Sequence, residues 1–157
     1  MISRSLGGDR TFVLLDGDSI FGPAHLAAGF MNAGRSIREG RCRAKQPSME
    51  VLRFLGGSRQ VSGGAKRVSP GKRAGRVLLA VAPSGWPAQE GPTPLPEIDV
   101  RDWDGPEVPG LEGRVVDEPS EIWGGAKAAR VFGLKAGISI EEMEAAIIEM
   151  VATADLI

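Results

Sequence analysis

Gly56 and Gly57 divide residues 43–61, RAKQPSMEVLRFLGGSRQV, into an apolar helical stretch and a polar turn, and no other segment restricts the fold as strongly. From Ser48 to Leu55 the pattern predicts a capped helix. Ser48 is the expected N-cap, and Met49, Leu52 and Leu55, with Val51 and Phe54, form a broad apolar face. The glycine pair then gives a left-handed C-terminal turn at little cost. Ser58, Arg59 and Gln60 follow where a second helix is expected to begin, so a short turn between two helices presents a guanidinium and an amide.

The remaining periodicity surrounds this helix pair with a small sheet. Thr11–Leu15 reads as a buried strand, followed by a helix from about Phe21 to Gly34 with Pro23 in its first turn. A weaker helix over 58–67 closes at Pro70-Gly71, and Arg76–Val81 is a second strand. From about 83 to 120 the chain turns rich in Pro, Gly, Trp and acids, an irregular excursion of a length that is usually functional or mobile. A short helix is expected near 120–131. The last one starts at Ser139 with Glu142 three residues on, a capping box, and runs to about Thr153. Two strands, at least four helices and no crossover repeat predict a single α+β domain over 1–157, with a small mixed or mainly antiparallel sheet packed by helices.

At 157 residues the chain is long enough to bury a core without covalent staples. Cys42 is its one cysteine, which excludes an internal disulfide framework and points to a reducing cytoplasm. No apolar run reaches transmembrane length, and Arg4, Asp9 and Arg10 interrupt any signal-peptide core. The net charge of −1 conceals a division: residues 1–82 hold 14 Lys/Arg against 5 Asp/Glu, and 83–157 hold 5 against 15. The basic density peaks in 35–76. Its arginines are either solvated faces neutralised by the acidic half or a phosphate-binding surface, because guanidinium forks match phosphate oxygens.

Motifs for catalysis are sparse. Asp16 and Asp18 at the end of the first strand have the spacing by which magnesium-dependent phosphotransferases place a nucleophile and an acid/base, but Asp-Gly-Asp is also an ordinary helix-capping turn. Gly71-Lys72 fails as a phosphate loop, since Lys66 and Arg73 stand where Gly and Ser/Thr are required. His25, the one histidine, sits at a helix start among apolar neighbours and reads as a packing or capping group. Trp86, Trp103 and Trp123 suit pinning the long excursion to the body better than stacking on bases. With no nucleophile, metal cluster or nucleotide motif, a binding protein without cofactor is expected rather than an enzyme.

The segment LLDGDSIFGPAHLAAGFMNAGRSIREGRCRAKQPSMEVLRFLGGSRQV (14–61) resembles the smallest accessory subunit of the KEOPS complex, a family of kinase-binding, tRNA-binding proteins. The likeness rests on the strand end, His25-Leu26 opening a helix, Gly40–Ala44, Glu50, and Gly57-Ser58-Arg59-Gln60-Val61. FGLKAGISIEEMEAAIIEMVATADLI (132–157) is similar to the family's closing helix. Roughly half the chain is covered; 83–120 is unmatched, and Ser62-Gly63-Gly64 stands where a better helix former is expected.

The resemblance implies a noncatalytic subunit of the complex that makes threonylcarbamoyladenosine in tRNA. Such a subunit binds the small kinase/ATPase subunit and recruits tRNA through its single-stranded 3′ CCA end. On this reading Arg41, Arg43, Arg59, Gln60, Lys66 and Arg67 are candidates for tRNA contact. On the closing helix Ile140, Met143, Ile147, Met150 and Val151 form the stripe expected in the core. Ala145, Ile148 and Ala152 lie aside as an apolar shoulder for the kinase subunit, or else are buried within the domain itself. A small phosphotransferase or phosphatase using Asp16 and Asp18 is the alternative.

Overall fold

The computed structural model describes residues 10–72, 74–82, 85–87 and 123–156. Strand β1 (Phe12–Asp16) leads through a 3₁₀ turn (Gly17–Ser19) to α1 (Pro23–Arg38), α2 (Pro47–Leu55) and α3 (Val61–Val68); β2 (Val77–Val81), α4 (Ala126–Val131) and α5 (Ile140–Ala152) follow. β1 and β2 pair antiparallel with Leu14 opposite Leu79. Two strands alone are marginal in water. They persist because Val13 and Leu15 of β1 alternate inward onto the helices. The result is a compact α+β domain, as expected, with five helices and one small sheet among the described residues; most of the 83–120 excursion and Trp103 lie outside them.

The core forms where α1 packs on α2 and α5, around Phe30, Val51, Phe54, Leu55, Ile147 and Val151, all essentially inaccessible. Trp86 is buried edge-on against Phe30, with ring centroids 5.6 Å apart, and Trp123 packs on the core margin. Both tryptophans flank the excursion and hold its described ends to the body. His25 is fully buried and does both jobs expected of it. Its Nδ1 accepts from the Phe21 N–H at 3.0 Å, which leaves Nε2 protonated to donate to the Leu55 carbonyl at 2.9 Å. Burial, only partly offset by the Leu55 bond, lowers its pKa to about 4, so the neutral tautomer is a structural strut.

Two expectations require correction. α2 begins at Pro47 with Gln46 as an extended N-cap, so Ser48 lies inside the helix. Proline at the first helical position is pre-organised and holds the preceding residue extended, which overrides the capping preference of serine one residue on. On α5, Ile140 is 65 % exposed and does not join the core stripe, whereas Ile147 and Val151 do, flanked by half-buried Met143 and Met150. The Ser139–Glu142 capping box is present, with Ser139 Oγ accepting from the Glu142 N–H and Glu142 Oε2 accepting from the Ser139 N–H.

Candidate nucleic-acid interface

α2 ends in a Schellman turn. The Gly57 N–H donates to Phe54 O and the Ser58 N–H to Arg53 O, with Gly57 at φ +58°. Ser58 Oγ then accepts from the Gln60 N–H at 3.1 Å, which fixes Gln60 as the N-cap of α3. Gly64 explains the glycines that look unsuitable for a helix. A Cβ there would lie 2.6 Å from Arg53 Cα and 2.9 Å from Leu52 O, so α3 rests directly on the backbone of α2. This contact buries Gly64 and Val68 and turns Ser62, Gly63 and Lys66 outward, next to exposed Arg59 and Gln60.

Beneath the turn lies an ion pair. Arg53 Nη2 is 2.6 Å from Glu50 Oε1 and Arg53 Nε is 3.2 Å from Glu50 Oε2, with neither side chain exposed. The same carboxylate accepts from Ser36 Oγ at 2.8 Å and from the Arg43 and Ala44 N–H groups at 3.2 and 3.1 Å. Burial pushes the Glu50 carboxyl up, but the hydrogen bonds from Arg53 and Ser36, the Arg53 charge and the Ala44 N–H outweigh it, so Glu50 is held below the ordinary carboxylate value. Arg53 also reaches Ser58 O at 3.5 Å and Asp155 Oδ1 at 2.8 Å, and its guanidinium carbon lies 4.1 Å from the Phe54 ring centroid. One buried pair thus gathers the 43–44 segment, the α2–α3 turn and the end of α5.

The six basic and amide candidates separate by this geometry. All six are exposed and differ in their partners: among the described residues Arg43, Arg59 and Lys66 form no side-chain ion pair. Arg43 and Arg59 project from segments bonded to the same buried pair. Arg41 is engaged within the fold: it pairs with Glu39, and its Nη1 lies 2.9 Å from Asp155 Oδ2. Arg67 donates from Nη1 to Gly56 O at 2.6 Å and lies over Phe132, so it seals the end of α2. On α5, Ala145 and Ala152 are exposed and Ile148 is half-buried.

Other groups have structural work. Asp16 Oδ1 accepts from the Asp18 N–H, capping the 3₁₀ turn, and Asp18 Oδ1 lies 2.6 Å from Arg76 Nη2 and 3.7 Å from Lys127 Nζ. Local burial and the Glu50 charge push the Cys42 thiol up, away from an activated thiolate. Among the described residues no three His, Cys, Asp or Glu side chains are grouped to hold a metal ion, and no helix is long and apolar enough to cross a membrane. The residue missed from sequence is Arg53, counted there with the basic surface although wholly buried. The signal was present: Glu50 and Arg53 stand three apart, one turn of the same helix. No protein-family model matches the chain, and no curated protein matches it.

Proposed function

We propose that this chain is a noncatalytic, tRNA-recruiting subunit of a KEOPS-type threonylcarbamoyladenosine-modification complex. It engages the single-stranded 3′ CCA end at the α2–α3 turn and the kinase/ATPase subunit through α5. The observation that carries this reading is the exposed set Arg59, Gln60 and Lys66 on a backbone held from below by Arg53 and Gly64. A splayed single strand offers phosphates to the two cations and base edges to the amide, and a rigid turn lowers the ordering cost of binding. Arg43 extends the cationic surface, while Arg41 and Arg67 have the structural roles described above.

The phosphotransferase reading is weaker because the carboxylates it needs are spent. Asp16 faces a backbone N–H, and Asp18 faces two cations where a magnesium ion would require negative charge.

The test is binding of tRNA with and without its CCA nucleotides, across a salt series. Arg59→Glu and Lys66→Glu should each weaken binding by about tenfold and lower the salt dependence. Removing CCA should matter more than altering the tRNA body. Equal affinity for the two tRNAs would remove the single-strand site.

A further inference from the structure

We infer that Arg43 and Lys45 form a second phosphate-binding surface, which takes the strand immediately 5′ of the CCA end. This deepens the proposed function and rests on its placement of CCA at the α2–α3 turn. Residues 35–72 hold ten Lys/Arg against two Asp/Glu, so what matters there is which cations the fold leaves uncompensated. Glu39, Glu50 and Asp155 are the carboxylates bonded in this region, and each holds Arg41 or Arg53. Arg43 and Lys45 are exposed and form no side-chain ion pair among the described residues.

The backbone beneath these two exposed side chains is fixed. The Arg43 and Ala44 N–H groups donate to Glu50 Oε2 at 3.2 and 3.1 Å, and Arg53, paired with Glu50, also reaches Ser58 O at 3.5 Å, on the turn that carries Arg59. One buried pair therefore sets the position of both cationic segments, which lowers the ordering cost for a strand that spans them. Between the segments lies α2, nine residues long and so about 14 Å from end to end. A stacked strand advances about 3.4 Å per nucleotide, so this span holds about four nucleotides. CCA supplies three of them and ends the chain; the phosphates at Arg43 and Lys45 are those just 5′ of it. Contacts of this kind position a strand without reading its sequence.

Fluorescence anisotropy with two labelled RNAs, the trinucleotide CCA and a single-stranded octanucleotide ending in CCA, tests this over a salt series. The octanucleotide should bind more tightly. Arg43→Gln combined with Lys45→Gln should weaken it about tenfold and lower the slope of log K against log salt by about 0.7 per cation. Trinucleotide binding and the thermal midpoint should stay as they are, because both side chains are exposed and unpaired. Lys72→Gln removes an exposed cation beyond α3 and should change neither RNA. An octanucleotide indifferent to the double variant overturns the inference, as does an equal loss for the two RNAs or an equal loss from Lys72→Gln. Arg59→Glu judges the CCA site separately: if the trinucleotide still binds, that site falls, and a loss confined to the double variant leaves the phosphate surface standing without it.

Discussion

Glu50 and Arg53 meet side-on within one turn of α2, both wholly buried, and the carboxylate accepts five hydrogen bonds. A buried pair of this kind contributes little net stability over an apolar substitute, but removing one partner strands the other without solvent. Arg53→Met should therefore cost about 3–5 kcal/mol, and Glu50→Gln a comparable amount. The thermal midpoint should fall by about 10 °C. The double variant should lose less than the sum of the two; strictly additive losses would mean the groups do not act as a pair.

The neutral state of His25 makes stability depend on pH. The folded pKa is lowered to about 4, against about 6.5 in the unfolded chain. Between these values the unfolded state binds more protons, so stability is full above the unfolded value and declines as pH falls toward 4. The loss amounts to about 3 kcal/mol, and it levels off below the folded value. Below about pH 4.3 the depressed Glu50 adds its own loss, because protonation breaks its bonds to Arg53. Urea unfolding at pH 7 and pH 5 measures the first effect. In His25→Leu the difference between those two pH values should shrink, and a wild-type curve flat across this range would contradict the assignment.

Much of this architecture is visible in local sequence, and what is hidden depends on distance. The two strands, the capping box at Ser139 and the left-handed Gly57 follow from short-range rules, because each is decided within about one turn of chain. Arg41 has a local partner in Glu39 two residues before it, but its second partner, Asp155, is 114 residues away and no local pattern marks that contact. Gly64 looks like a weak helix residue until the α2 backbone is seen beneath it. Periodicity also cannot say where a helix leaves the body: the first turn of α5, 140–142, is exposed throughout, which removes Ile140 from a stripe that the spacing predicts correctly further along. Arg59, Gln60 and Lys66 were legible as a surface because a glycine stop followed by polar residues places them outside whatever packs below.

The close approach of α3 to α2 predicts unequal responses at adjacent glycines. Gly64→Ala drives a methyl group into the Arg53 and Leu52 backbone, which cannot move aside singly, so α3 must lift and stability should fall by about 1–3 kcal/mol. Gly63→Ala meets the Ser58 hydroxyl, a rotatable group, at 2.8 Å and gains helix propensity, so its change should stay within about 1 kcal/mol. Because Gly64 seats the turn, Gly64→Ala should also weaken tRNA binding more than Gly63→Ala does. Equal effects on stability would show that the two helices can separate freely.

The α5 shoulder offers the sharpest separation of surface from core. Ala145 and Ala152 are exposed, so arginine at either position adds bulk and charge outward without filling the interior. On the proposed function, Ala145→Arg and Ala152→Arg should abolish capture by the kinase subunit and shift the thermal midpoint by no more than a surface change does, within about 0.5 kcal/mol. Ile148 is half-buried and lies between them on the same side, so Ile148→Glu should lose the partner and also cost about 1–2 kcal/mol of folding stability. Asp155, three residues beyond Ala152, supplies a control: Asp155→Asn breaks the bridge between Arg41 and Arg53 and should lower stability while leaving the shoulder's side chains in place. Kinase capture retained by both arginine variants and lost by Asp155→Asn would move the docking surface from the shoulder to the end of the chain.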